Sequence, residues 1–213
     1  MATIDLNSGS LSEHLAKATA ALKDGYVILA PLENSYALVA DAFFHDAVRA
    51  LHVLRGDELG VSAQVMIGSS AAVDGIAREI SEPVRKLIDN FWPGQLSINL
   101  KPQRGLNWDL GDGQQLDSFS VRVPSSDFIL QLAKRHGPLA VASAALAGNS
   151  PITDPSELKF TELEVAAIFS IGPITQGPAT TVVAGDSEPA RIVRVGAISV
   201  EQITAITPDI SAL

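Results

Sequence analysis

Apolar and polar positions along this chain follow two periods, and the two periods take turns. Leu11, Leu15, Ala18 and Leu22 recur at the spacing of one helix face, with Ser10 or Ser12 placed to cap the start and Gly25 to end it. YVILA (26–30) follows as a short apolar run of the kind that makes a buried strand, and Pro31 stops it. SYALVADA (35–42) is a second strand pattern. From Asp46 onward, Val48, Leu51 and Leu54 return to helical spacing. AQVMIG (63–68) is again short and apolar. In SEPVRKLIDNF (81–91), Ser81 stands at the N-cap, Pro83 in the first turn, and Val84, Leu87, Ile88 and Phe91 share one face. WPGQLSINL turns and becomes a strand, and SFSVRVP (118–124) alternates like one. A helix capped by Ser125 runs to Gly137. PLAVASA, EVAAIFSIG, TTVVAG and RIVRVG read as further strands, and SVEQITAI as a short closing helix. About nine strands interleaved with four or five helices predict a single α/β domain over residues 1–213, built on a mixed sheet.

Composition supports a packed core. Hydrophobic residues make up 46% of the 213 positions and charged residues 18%, which sets the chain apart from disordered ones. The net charge of −9 removes any general attraction to nucleic acid, so RNA binding is expected to be weak unless a local basic groove exists. There are no cysteines, which excludes disulfides, a thiol nucleophile and cysteine-ligated metals. No apolar run is long enough to span a bilayer, and MATIDLNSGSLSEHL has no basic stretch before an apolar one. The expected location is cytoplasmic, with no membrane partner.

Common nucleotide-binding and hydrolase motifs are missing from the sequence. It has no G-x-G-x-x-G after a strand, no phosphate-binding G-x-x-x-x-G-K-[ST] and no G-x-S-x-G elbow. His14, His45, His52 and His136 are scattered without metal-ligand spacing. Two turn-rich stretches, 101–117 and 147–164, read as loops over a site or a sheet edge.

Five blocks in order point further. FWPGQLSINL (91–100) resembles the F-W-P-G-x-L-T turn and strand of the YrdC/YciO family, the threonylcarbamoyl-AMP synthases. SVRVP (120–124) resembles that family's R-x-P strand end, and PLAVASAALAG (138–148) its S-A-N-x-S-G segment. ATTVVAG with RIVRVGAIS (179–199) resembles its S-T-I-V-D and L-R-x-G-A-I closing strands. PLENSYALVADA (31–42) sits where the family has P-T-D/E-T-x-Y-G-L. The resemblance implies an open twisted mixed sheet with flanking helices and a concave, positively charged cavity. It also implies an enzyme that combines L-threonine, bicarbonate and ATP, with Mg²⁺ accompanying the nucleotide, releases pyrophosphate, and feeds a tRNA-modification complex. Such chemistry rests on positioning and charge neutralisation, so no catalytic side chain is assigned.

Carried over position by position, the resemblance places Tyr36, Arg122 and Thr181 at the substrate and Arg55, Ser143, Arg194 and Gly196 at the nucleotide. Arg122 would hold the threonine carboxylate bidentately, Ser143 and Thr181 would donate to nucleotide or carbamate, and Arg194 would face a phosphate.

The departures concern the same positions. The family's two threonines in the first block are Leu32 and Asn34, and its glycine is Ala37. The amide of S-A-N is Ala145, the serine two residues on is Ala147, and the aspartate of S-T-I-V-D is Ala184. In LHVLRGDELG (51–60), where the family has K-x-R and then K-P-L-S, its lysine falls on Arg55 and its arginine on Asp57, and the later lysine and proline on Val61 and Ser62. One cation here stands against Asp57 and Glu58. A unit charge about 4 Å away is worth about 4 kcal/mol at an effective dielectric near 20, so weakened ATP chemistry is expected. Three readings stay open: an active synthase, a YciO-like protein that binds a different ligand, RNA or a partner without turnover, and a structural protein that keeps only the fold.

Overall fold

A computed structural model describes residues 2–212 apart from 116, 159 and 161–163, which belong to the two turn-rich stretches. The chain order begins with β1 (Ala2–Asp5), α1 (Leu11–Lys23), β2 (Ile28–Pro31), β3 (Tyr36–Asp41), α2 (His45–Arg55) and β4 (Gln64–Met66). It continues with α3 (Val73–Ile76), β5 (Ala77–Arg78), α4 (Glu82–Phe91), β6 (Leu96–Pro102), β7 (Phe119–Arg122), α5 (Asp127–His136) and β8 (Leu139–Ser143). The last elements are β9 (Ala167–Ser170), β10 (Thr181–Ala184), β11 (Arg191–Arg194), α6 (Val200–Ile206) and β12 (Ser211–Ala212). Strands neighbour one another in the order β1-β9-β2-β3-β8-β4-β7-β6-β10-β11-β12, with β5 beside β6. Parallel pairs such as β4·β7 and β6·β10 mix with antiparallel ones such as β3·β8 and β6·β7. This is the open mixed sheet of the expected α/β class.

Both sheet faces carry helices, but not over the same strands. On one face, Leu29, Leu38, Val65, Val121, Ile98 and Val183 pack under α2, α4 and α6. On the other, α1 and α5 cover Ile28, Ala37, Val39, Met66, Val141 and Phe169. Strands covered twice have no polar side, which is why YVILA reads as a continuous apolar run. Beyond β4 the second helical layer ends. There the same face shows Gln64, Ser120, Ser97 and Asn99, matched by register across β4, β7 and β6, and the strands alternate apolar-in, polar-out.

Several boundaries differ from the sequence reading. Strands β1, β5 and β12 span four, two and two residues and carry no periodic signal. The N-cap of α5 is Ser126, not Ser125, and its hydroxyl donates to Pro31 O instead of capping. The cap's role falls to a distant carboxylate: Glu33 Oε1 accepts from the Ser125 N–H at 2.8 Å and the Ser126 N–H at 3.3 Å. An anion at a helix N-terminus satisfies donors that have no intrahelical partner.

Candidate functional site

On this uncovered face Gln64 of β4 and Arg122 of β7 line a cleft of about 630 Å³. Its walls come from the 32–35 turn after β2, the 55–64 segment after α2, the end of β8, and the 176–180 segment before β10. Asn34 joins two of these walls, its amide donating to Gln95 Oε1 at 3.1 Å and Pro178 O at 2.8 Å. The FWPG turn leads into β6 beside β7. Trp92 Nε1 donates to Leu96 O at 2.7 Å, and Gly94 lies so close to its neighbours that a Cβ there would stand 2.4 Å from Phe91 O.

Four of the seven residues named from the sequence line the cleft: Arg55, Arg122, Ser143 and Arg194. The other three stand behind the wall. The Tyr36 side chain is fully buried, its hydroxyl donating to Gly172 O at 2.6 Å and accepting from Ile171 N. Thr181 is also fully buried. Its Oγ1 donates to Ile198 O at 2.6 Å and accepts from Gly196 N and Ile198 N. Gly196 has no room for a side chain, because a Cβ would fall 2.1 Å from Ala179 O. Tyr36, Thr181 and Gly196 brace the strands that carry the site and do not face its space.

The charges in the cleft are largely matched within the protein. Arg122, 3% exposed at its side chain, donates from Nη1 and Nη2 to the two Glu33 oxygens at 2.7 and 2.9 Å, and from Nη1 to Gly94 O. Its Nε is buried without a partner. Burial alone would raise the Glu33 pKa, but the Arg122 hydrogen bonds and charge and the backbone donors at α5 outweigh it and hold the carboxyl at about 2. Arg55, in the last turn of α2, donates from Nε to Asp57 and from Nη1 to Ser143 O at 3.2 Å. Asp57 also meets His52 Nδ1 at 2.8 Å, while His52 Nε2 meets Leu110 O at 2.7 Å. Arg194 differs. It donates to Thr180 O and Thr180 Oγ1, and among the described residues no carboxylate lies within ion-pair distance of it. Three arginines and two carboxylates line the cleft, a net of +1 with His52 neutral, on a chain of net −9.

Arg194 reaches the cleft through a bulge. Val183 pairs with Ile192 and Val182 with Arg194, so Val193 is an extra residue in β11. Without it, Ile192 and Arg194 would point the same way. With it, Ile192 enters the core and Arg194 turns to the open face, the re-aiming that bulges provide.

The sequence reading missed Glu33, Gln64, Ser97 and Thr180. Gln64 was visible as the lone polar residue inside the apolar run AQVMIG, and Ser97 as one of two polar residues, with Asn99, in LSINL. Thr180 was indistinguishable from its neighbour Thr181. Gln64 and Thr180, which line the cleft, are joined in a row through the fully buried Ser97: Gln64 Nε2 donates to Ser97 Oγ at 2.8 Å and Ser120 Oγ at 3.1 Å, and Ser97 Oγ donates to Thr180 Oγ1 at 3.3 Å. Among the described residues no group of His, Cys, Asp or Glu is arranged to hold a metal ion. No helix among them is long and apolar enough to cross a membrane.

The chain is similar to known proteins in sequence and in fold. The sequence model of the family Sua5/yciO/yrdC, described as "Telomere recombination", matches residues 20–196. A Mycobacterium leprae protein provisionally named threonylcarbamoyl-AMP synthase is 33% identical over 193 residues, which is 90% of this chain and 87% of its own. The structure of P. abyssi Sua5 complexed with L-threonine superposes with a TM-score of 0.87 at 23% identity, over 100% of this chain and 62% of that one. E. coli YciO superposes with a TM-score of 0.81 at 22% identity, over 95% of this chain and 98% of its own. At these identities the two structures establish the fold.

Proposed function

The chain belongs to the Sua5/YciO/YrdC family, and on that premise we propose that it makes L-threonylcarbamoyl-AMP from L-threonine, bicarbonate and ATP, as a step in tRNA modification. The observation that carries this reading is the 33% identity, over nine-tenths of the chain, to a relative provisionally named for that reaction. The cleft supports it. A carbamate oxygen attacks the α-phosphorus of ATP, the bond to the β-phosphate oxygen breaks, and pyrophosphate leaves. Nothing in those steps needs a protein nucleophile. They need the two substrates held in line and the phosphate charge met by donors. Arg194, with no carboxylate partner among the described residues, is the residue suited to the phosphates. Ser143 and the Arg55 guanidinium that binds its carbonyl sit on the facing wall. Magnesium would enter on the triphosphate, since the described residues offer no cage of their own.

A second reading has its own observation. Arg55 and Arg122 are each held by a carboxylate of the same chain, Asp57 and Glu33. A triphosphate then meets much less net positive charge than three arginines would offer, which favours weak ATP use or binding without turnover. The experiment that separates the readings is pyrophosphate release, measured with and without each of threonine, bicarbonate and Mg-ATP. Release that requires all three supports the synthase. Threonine binding with no heat from millimolar ATP supports the non-catalytic reading.

A further inference from the structure

We propose that Gln64 is a specificity-determining residue of this cleft, its amide oxygen accepting the ammonium group of an α-amino acid. The assignment rests on the reading of the cleft as an amino-acid site. Gln64 departs from the serine of the K-P-L-S pattern, and its long side chain lines the cleft. Both hydrogens of its amide nitrogen are used, by Ser97 Oγ at 2.8 Å and Ser120 Oγ at 3.1 Å. In this structure the amide nitrogen therefore faces the two serines and the oxygen points away from them. That oxygen has no hydrogen-bond partner among the described residues, although the side chain is half-buried and lines the cleft.

An acceptor held in place and left unmatched selects a ligand that brings a donor. The neighbours say which donor. Arg122 follows Ser120 by two residues on β7, so its guanidinium lies on the same face of the sheet as the Ser120–Gln64 pair. The row Gln64–Ser97–Thr180 ends on the guanidinium of Arg194. Arg122 already carries Glu33, so the guanidinium open to a ligand is that of Arg194, and an acceptor-only atom in a row that ends on it is the complement of a molecule whose ammonium sits beside its carboxylate. A phosphate or a simple carboxylic acid would leave the Gln64 oxygen facing other oxygens.

Titration calorimetry on the full chain tests this with three probes: L-threonine; L-alanine, which lacks the hydroxyl; and 3-hydroxybutyrate, which keeps the carboxylate and hydroxyl and lacks the ammonium. Gln64→Met removes the acceptor at similar length. The expected result is roughly a tenfold or greater loss of threonine affinity, with 3-hydroxybutyrate changed by less than about twofold. Gln64→Glu keeps these contacts intact, because Ser97 and Ser120 can turn their hydroxyls to donate. It should strengthen threonine binding and weaken 3-hydroxybutyrate. Equal losses for threonine and 3-hydroxybutyrate in the Met variant, or a Glu variant that matches the wild type, would overturn the assignment. So would a Met-variant loss seen with threonine but not with L-alanine, since that would place the ligand's hydroxyl on Gln64. A wild-type chain that releases pyrophosphate with threonine yet shows no dependence on Gln64 rejects this assignment alone. A chain that binds no amino acid rejects it together with the synthase reading.

Discussion

Replacing Glu33 by Gln removes a carboxylate that serves two parts of the structure at once. Its side chain is 12% exposed, and it accepts from Arg122 Nη1 and Nη2, from the Ser125 N–H and hydroxyl, and from the Ser126 N–H. The folded-state pKa of about 2 against an ordinary 4.5 measures how much the fold prefers the ionised form. At about 1.4 kcal/mol per pH unit, that preference is about 3 kcal/mol. The same size is expected from stranding the Arg122 charge in a buried site, which costs about 3–5 kcal/mol. Because the pKa is lowered, the contribution is fully present above pH 4.5 and is lost as pH falls from there toward 2. Glu33→Gln should therefore be about 3 kcal/mol less stable than the wild type at pH 7, a fall in melting temperature of roughly 6–12 °C for a chain of this length. The difference should shrink as the pH is lowered through 4 toward 2. Urea unfolding of both proteins at a series of pH values reads this directly. A variant as stable as the wild type at pH 7, or a gap that stays constant down to pH 3, would refute the argument that the Arg122–Glu33 pair holds this wall.

Other substitutions test the division between residues that face the cleft and residues that brace it. Arg194→Gln should weaken pyrophosphate and ATP binding by roughly tenfold or more, the worth of a charge-assisted hydrogen bond, and leave the melting temperature nearly unchanged because the residue is exposed. Calorimetry alongside a thermal melt checks both halves. Asp57→Asn removes the counter-charge from Arg55 while keeping its shape, and should tighten pyrophosphate binding several-fold; unchanged or weaker binding would show that Arg55 does not serve the anion. Thr181→Val strands Ile198 O and the N–H groups of Gly196 and Ile198, and should lose about 2–3 kcal/mol in urea unfolding. At a temperature where that variant is folded, its threonine KM should match the wild type.

The parts of this molecule that were legible in the sequence are those governed by neighbours along the chain. Helix α4 shows its Pro and its apolar stripe, and its observed limits, Glu82–Phe91, sit within one residue of the pattern. Strands β2 and β3 read as apolar runs because helices cover both of their faces. What stayed hidden depends on pairing between distant segments. Ser125 and Ser126 look alike as caps until Glu33, some ninety residues earlier, is found at the helix end. Thr180 and Thr181 look alike until Thr181 pairs with Leu96 and Val182 with Ser97, which sends Thr181 into the core and leaves Thr180 in the cleft. Arg194 presents the opposite case: alternation along RIVRVG would have put it on the same face as Ile192, and only the bulge at Val193 brings it to the site. The charge balance around Arg55 also depends on the fold. Counting residues in LHVLRGDELG sets Arg55 against both Asp57 and Glu58. In the fold Asp57 alone holds Arg55, Glu58 lines a separate depression, and the cleft keeps Arg194 as a cation without a carboxylate partner among the described residues. On the synthase reading, a phosphate would thus be met by a residue at the far end of the chain from LHVLRGDELG.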